Sequence, residues 1–353
     1  MPSCINWFFA SHNTRGAALA IAALSVPFGA QDASAQSAAD FYRGKTVTVV
    51  VGYAPGGGYD IYSRLLARHL GNHIAGAPNV IVQNMPGAAG VVASNNIYVA
   101  APKDGTMIAA VDQNIPMFQL LGGKGVKYDA TKFAWLGSMA ASNGIAMAWA
   151  GSGIASLDDA KRREVSMGTT GANDDAYIYA RTLNALLGTR FKTIQGYSGT
   201  SSVNMALEKG EVESMGRSTY YGFASQRPDW LRDKKVNILV QFGSEKQPEI
   251  ASVPLLVDLV SGAESKQIAA LVSMPTSIGY SHWLAPEVPA DRIAALRAAY
   301  KATLADPALL DEAKQRGIEI KPKTPEQIAQ IVKTAADTPA EVREKTVKIL
   351  GWE

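Results

Sequence analysis

Short apolar runs alternate along this chain with longer segments in which apolar residues recur every three or four positions. The runs predict strands over 46–51, 80–83, 106–111, 165–168, 191–194, 212–215 and 236–242. The recurring pattern predicts helices over 60–70, 88–99, 174–187, 201–209, 290–304, 308–316, 325–336 and 339–350. Ile293, Leu296 and Tyr300 share a helix face, as do Ile328, Ile331 and Val332. Alternating strands and helices argue for α/β layers with mainly parallel sheets. The texture changes twice. Residues 137–153 are rich in Ala, Gly, Ser and Met, and after Ser261 helices replace the alternation. Both places read as crossings between two lobes. The first lobe is expected over 36–140 and 263–353, and the second over 141–262. Two α/β lobes crossed more than once enclose a cleft, and ligands in such sheets sit beyond the carboxyl ends of the strands. Two unrelated domains joined by a plain linker are the simpler alternative.

Residues 1–35 read as a signal peptide. Arg15 precedes an apolar stretch from Ala17 to Ala30, and Ala33-Ser34-Ala35 forms an A-x-A cleavage pattern. The stretch is too short to span a bilayer. Export to the periplasm is therefore expected, with cleavage near Ala35. The chain's single cysteine, Cys4, would leave with the signal, so the mature chain would have no disulfide, thiol nucleophile or cysteine metal site. Of the 353 residues, 47% are apolar and 18% charged, as in a soluble globular protein. The net charge of +3 comes without a Lys/Arg-rich block, so nucleic acid is not an implied partner.

The first candidate site follows the 46–51 strand, at Gly52-Tyr53-Ala54-Pro55-Gly56-Gly57-Gly58-Tyr59-Asp60. Glycines let a backbone approach a ligand, and a helix N-terminus presents unpaired amides and a positive dipole end. Asp60 is expected to cap the helix. The Lys-Ser/Thr of a P-loop is missing, and so is G-x-G-x-x-G. A second loop, Thr169-Thr170-Gly171-Ala172-Asn173, follows the 165–168 strand in the same way, with Asn173 as a possible cap. Facing each other, two such helix starts would suit a carboxylate. Singly, each is an ordinary strand-to-helix turn.

Other candidates are weaker. Gly196-Tyr197-Ser198-Gly199-Thr200 has the wrong phase for a nucleophile elbow. His69 and His73 lie four apart but lack the Glu of H-E-x-x-H, so a solvated helix face is expected. His282 reads as a packing or cleft-wall residue. Asp174 and Asp175 read as a helix start, where carboxylates are favourable. Arg217 ends an apolar strand, ahead of Ser218 and Thr219, and could pair with a ligand carboxylate or form a structural salt bridge. No cofactor, metal or catalytic set is expected.

Phe41-Tyr42-Arg43-Gly44-Lys45 through Asp60 resembles the start of tripartite tricarboxylate transporter substrate-binding proteins, the Bug family. So do Val82-Gln83-Asn84-Met85-Pro86-Gly87-Ala88-Ala89-Gly90 and Ala101-Pro102-Lys103-Asp104-Gly105-Thr106. Tyr197-Ser198-Gly199 and Pro248 to Pro254 are similar to further family turns, and Trp283-Leu284-Ala285-Pro286 is so only loosely. The resemblance implies a two-lobe periplasmic-binding-protein fold, a Venus flytrap closing on a small organic acid. That acid would be a di- or tricarboxylate or an aromatic carboxylate. A monomer is expected, and the resemblance implies that it serves membrane transporter subunits.

Carried over, Pro55, Gly56 and Gly57 form one wall with Asp60 behind them, and Thr169, Thr170 and Gly171 form the other. Gly87 and Ala88 support the cleft. Tyr197, Ser198, Gly199 and Thr200, with Arg217, Ser218 and Thr219, would meet the distal part of the ligand. Tyr53, Tyr59 and Trp283 are placed near the cleft by loop position, which points to a flat or aromatic acid. The second-lobe loop departs from the family pattern, since Asp174-Asp175 brings two acids where the family has a small serine. The rival readings are an exported hydrolase of a carboxylic ester or amide, a sensor acting through a receptor, and the effector domain of a regulator.

Overall fold

The computed structural model describes residues 38–353. The expected signal segment, its cleavage site and Cys4 lie outside the described residues. Ten strands are present among the described residues: β1 (Thr46–Val51), β2 (Asn79–Asn84), β3 (Met107–Ala110), β4 (Ala134–Ser138), β5 (Gly144–Trp149), β6 (Val165–Gly168), β7 (Phe191–Ile194), β8 (Ser214–Arg217), β9 (Val236–Phe242) and β10 (Ser281–Leu284). They form two five-stranded sheets, ordered β2-β1-β3-β10-β4 and β7-β6-β8-β5-β9. The two orders match position for position. β1 and β6, each running into a glycine-bearing loop and a long helix, hold equivalent places.

In each sheet one strand opposes the rest. β10 is antiparallel to β3 and β4, and β5 is antiparallel to β8 and β9. These are the two strands that arrive from the other lobe. Such a strand starts at the boundary between lobes and runs away from it, whereas β1, β3 and β4 run toward it. The sheets are thus mixed with parallel cores, where the sequence suggested mainly parallel ones. The parallel cores read as β-branched runs because both faces are covered. Thr-Val-Thr-Val-Val-Val in β1 is the clearest case, with Val47, Val49, Val50 and Val51 fully buried.

Three strands escaped the sequence pattern: β4, β5 and β10. They hold Ala, Gly, Ser, His and Trp rather than an aliphatic run, and they flank the crossings. The 212–215 strand lies two residues later, at 214–217, and takes in Arg217. The expected 88–99 helix is broken. A 3₁₀ turn over Ala88–Gly90 precedes a short α-helix, Val91–Asn95, and a π-helical turn, Asn96–Ala100. The break follows from left-handed backbone at Ala88 (φ 45°), Ala89 (φ 50°) and Gly90 (φ 87°).

The helices Ala290–Leu304 and Pro325–Ala336 were read correctly. Thr324, Pro325 and Gln327 explain why the second starts where it does: a capping box with Pro at the first helical position. Both helices pack on β4. The helices Ala263–Ser273 and Ala340–Leu350 instead pack on the Asp175–Leu187 helix. Tyr177 Oη donates to Leu350 O (2.9 Å), and Trp352 Nε1 donates to Ala172 O (3.2 Å). In packing, these two helices therefore side with the second sheet, not the first.

Several aromatic and histidine positions are structural. Trp283 is fully buried and stacks on Phe133 (3.7 Å, 4°), so it lies in the core and not at the cleft. His282 is buried with Nδ1 3.0 Å from Tyr300 Oη, and burial lowers its pKa to about 3, so it packs as a neutral ring. His69 and His73 contact Glu312 and Asp306, both at 2.8 Å, tying the Gly58–Leu70 helix to the Pro307–Gln315 helix. They are therefore packing contacts and not merely solvated.

The crossings run side by side. Met139 N donates to Tyr280 O (3.0 Å) and Tyr280 N to Ala140 O (2.9 Å), while Lys321 N donates to Met139 O (3.0 Å). Gly279 has φ +64°, and a Cβ there would lie 2.0 Å from Ala140 O. Gly279→Ala is expected to destabilise the protein by about 2–4 kcal/mol, because it adds a backbone clash to left-handed strain. Denaturant titration measures this, and an unchanged midpoint would show that the crossings are not held by this contact.

Candidate functional site

The two strand–loop–helix units repeat one hydrogen bond. Gly56 N donates to Asp60 Oδ2 (2.8 Å), and Thr170 N donates to Asp174 Oδ2 (3.1 Å). In each unit a carboxylate at the helix start reaches back four residues and pins the loop. The N-cap of the 58–70 helix is Gly57, so Asp60 is not the cap expected from sequence but a first-turn residue. It also accepts from Arg64 Nε (2.9 Å) and Asn84 Nδ2 (2.8 Å). Burial alone would raise its pKa, but the bonds from Arg64, Gly56 and Asn84 hold it below the usual carboxylate range. Asp60 thus stands behind the loop with its oxygens occupied.

In the second unit the cap is Asp174, not Asn173. Its Oδ1 accepts from Ala176 N (2.8 Å), and its Oδ2 accepts from Thr170 Oγ1 (2.5 Å). Thr169 is fully buried and bonds Gly171 within its own loop (Oγ1 to O, 3.2 Å). Gly56 N is already engaged, and the amides that open the 58–70 helix, at Gly57, Gly58 and Tyr59, have no partner within the helix itself.

The lobes are shut on each other. Ala54 N donates to Ser198 O (3.2 Å), Ser201 Oγ donates to Pro55 O (3.3 Å), and Gln226 Nε2 donates to Gly56 O. Gly199 packs so closely that a Cβ would come within 3.3 Å of Ala54, and one on Gly57 would lie 3.6 Å from Thr200 Oγ1. A Cβ on Gly171 would lie 3.5 Å from Ala88, and Asn173 Nδ2 donates to Ala89 O (3.3 Å). The turn that meets them contains Gly87 (φ 152°) and the two left-handed alanines, a strained conformation costing about 1–3 kcal/mol per residue. Thr219 Oγ1 donates to Tyr280 Oη (2.8 Å), and that ring stacks on Tyr62 (4.0 Å, 20°) at the return crossing.

Arg217 is buried. Its Nη2 donates to Gln226 Oε1 (2.7 Å) and Gly222 O (3.3 Å), while Nη1 has no partner. Burial lowers its pKa to about 10, which leaves it charged at neutral pH. Arg217 therefore positions Gln226, which in turn reaches Gly56 on the other lobe.

Not every expected residue meets the seam. The ring of Tyr197 lies over Gly168 of its own lobe. Ser198 spans the seam through its carbonyl, not its hydroxyl, and Ser218 does the same by accepting from Gln113 Nε2 (3.0 Å). Tyr53 and Tyr59 stack on each other (5.4 Å, 17°), and their hydroxyls are engaged by Asp112 Oδ2 (2.5 Å) and Gln113 N (2.8 Å).

Sequence reading missed Asp112, Gln113 and Asn114, together with Gln226 and Tyr280. A signal was present for the first three: consecutive polar residues directly after a buried strand. β3 ends at the boundary just as β8 does before Ser218. Asp112 Oδ1 accepts from Asn114 N (2.7 Å), and Asn114 Nδ2 donates across the seam to Asp175 Oδ1 (2.9 Å). Burial, together with the charge of Asp175, pushes Asp112 well above the usual carboxylate range. Burial, then the neighbouring Asp174, raises Asp175 to about 7. Among the described residues no group of three or more His, Cys, Asp or Glu is arranged to hold a metal.

Residues 63–346 match the family described as the tripartite tricarboxylate transporter family receptor. The chain is 28% identical over 252 residues to the UPF0065 protein in the gbd 5′ region of Cupriavidus necator, covering 69% of this chain and 72% of that one. Its fold is similar to that of MatC from Rhodopseudomonas palustris with bound malate, at TM-score 0.64 and 20% identity over 86% of this chain and 99% of that one. It is also similar to an R. palustris protein with adipate, at TM-score 0.66 and 18% identity over 87% and 97%. The two matching sheets form the two-lobe α/β fold of periplasmic binding proteins. With its match spanning most of the sequence, the chain belongs to the tripartite tricarboxylate transporter family of receptors, which are binding proteins and not enzymes.

Proposed function

We propose that this protein is exported to the periplasm, captures a small organic carboxylate between its two lobes and delivers it to tripartite tricarboxylate-type transporter subunits. The observation that carries this reading is the pair of matched strand–loop–helix units meeting at one seam. Uncharged amides from the 58–70 helix start and the unpartnered Nη1 of Arg217 supply donors for an anion. Two relatives of this fold hold carboxylates, malate in one and adipate in the other. Gly56, Gly57, Gly171, Gly199 and Thr200 line the approach between lobes, and Asp60 and Asp174 hold their loops rigid from behind. Closure would draw its energy from contacts that exist only when a ligand bridges both lobes.

An aromatic wall has less support than the sequence suggested. Trp283 is in the core, and Tyr53 and Tyr59 stack on each other. A signalling role through a receptor partner would use the same binding step; the receptor family to which the chain belongs supports delivery to a transporter instead.

Thermal unfolding of residues 36–353 against aliphatic and aromatic mono-, di- and tricarboxylates tests the reading. A ligand at about a hundred times its dissociation constant should stabilise the protein by about 2.7 kcal/mol, a rise of a few degrees. If no acid raises the midpoint, even after unfolding and refolding to strip a co-purified ligand, the carboxylate reading fails. Gln226→Ala should weaken binding of the responding acid by about tenfold, the worth of one lost closing hydrogen bond. Calorimetric titration reads this, and an unchanged affinity would separate the Arg217–Gln226–Gly56 link from ligand capture.

A further inference from the structure

A groove of about 520 Å³ lies away from the seam, between the second half of the Ala290–Leu304 helix and the start of the Pro325–Ala336 helix. Its floor is Leu136, Tyr300 and Leu304, all buried. Ala298, Ala305 and Pro322 also line it and are exposed. Positions 298, 301 and 305 fall on one helix face, so Lys301 stands between the two alanines. The groove is held in place by β4. Lys323 N donates to Ser138 O (3.1 Å), Ser138 N donates to Lys323 O (3.0 Å), and Arg297 Nε donates to Trp135 O (2.8 Å).

The charge along this groove is one-sided. Arg297, Lys301 and Lys323 line it, and among the described residues none of the three has an ion pair. Elsewhere on this lobe Arg64, Arg68, Lys103 and Lys132 each meet a carboxylate. The acid that lines the groove is Glu326. Its own backbone amide, then Thr324, hold it below the usual carboxylate range, so it serves the helix start and offsets only part of the positive charge. At Lys323 the groove continues into a polar hollow of about 260 Å³ that reaches the second lobe. There Lys321 Nζ donates to Tyr221 Oη (2.6 Å). Lys321 also meets Glu319 (3.6 Å), and Lys246 is accompanied by Glu245, so the unanswered charge stays in the groove. A partner lying along the groove and into the hollow would contact both lobes.

We propose that this groove docks an acidic segment of the membrane transporter subunits, one that also carries apolar side chains. An apolar side chain of the segment rests against Ala298, Ala305 and Pro322, and its carboxylates pair with Arg297, Lys301 and Lys323. A small polycarboxylate would match the cations but leave those apolar walls uncovered. An apolar centre with a charged rim is the anatomy of a protein contact. The rim charges steer and select the partner, and raised salt weakens them. This docking rests on the transporter-delivery reading and gives it a surface.

Cys4 is the chain's single cysteine, so a cysteine placed in residues 36–353 is unique there. Ala305→Cys, labelled with a benzophenone maleimide and irradiated with membranes of the source organism, tests the groove. Ile81→Cys, exposed on β2 at the opposite edge of the same sheet, is the control. The expected result is a cross-link from position 305, and not from 81, to a transporter subunit. Mass spectrometry should map it to a segment bearing both Asp or Glu and apolar residues. Lys301→Glu with Lys323→Glu should cut its yield by about tenfold or more, while calorimetric affinity for organic acids stays unchanged. Lys301→Glu alone, at an exposed position, and raised salt on the unaltered charges give the same readout if the double variant fails to fold. The proposal is overturned if position 81 captures the subunit and 305 does not, or if the yield survives both charge reversal and salt. It is also overturned if 305 links to lipid or to a second copy of this chain. If neither position captures a transporter subunit while organic acids still bind, docking at the groove and delivery to a transporter both fall, and carboxylate capture stands.

Discussion

A loop amide held by a carboxylate four residues ahead occurs once in each lobe, and much of the seam depends on it. Gly56 bound to Asp60, and Thr170 bound to Asp174, fix the backbone between strand end and helix start. With the loops held, their outer faces can meet at contact distance. Ala54 reaches Ser198, Pro55 reaches Ser201, and Gly171 lies against Ala88. A side chain at Gly199 or Gly171 would crowd that contact. The two acids contribute indirectly, by shaping a surface they do not themselves present.

The topology puts those loops face to face. Strands that end at the boundary present their carboxyl ends there, in both sheets. The single antiparallel strand in each sheet is the one that begins at the boundary, so it takes the chain away from the seam and leaves the loops uncovered. The two crossings, at 139–140 and 279–280, are hydrogen-bonded to each other. Tyr280 links these crossings to the seam between the loops. Its hydroxyl meets Thr219, and a Cβ on Gly58 or Gly222 would fall 2.3 Å or 1.6 Å from that oxygen. Tyr280 is thus wedged between the start of the 58–70 helix and the start of the Tyr220–Gln226 helix.

Local signals were legible in the sequence where one element decides them. The β-branched run of β1, the glycine loop after it and the capping box at Thr324 need no tertiary knowledge. β4, β5 and β10 were hidden because their burial comes from long-range pairing and from distant helices, as with the Ala290–Leu304 and Pro325–Ala336 helices on β4, and not from an aliphatic run. Trp283 was misplaced for the same reason, since loop position could not reveal its stack on Phe133. The Ala88–Ala89 break was invisible because nothing about two alanines announces left-handed backbone. Asp112 could have been noticed as a polar residue beyond a buried strand. Its link to Asp175 through Asn114 could not, because it joins residues far apart in the chain and on different lobes.

The seam carries a buried donor without an acceptor, Nη1 of Arg217. A crystal structure of the protein with a bound acid that raises its unfolding midpoint is the most direct test of ligand capture between the lobes. The expected result is a carboxylate within hydrogen-bond distance of the amides at Gly57 to Tyr59 and of Arg217 Nη1. An acid bound outside the seam, with the two loops still in contact and Arg217 still unpartnered, would contradict it.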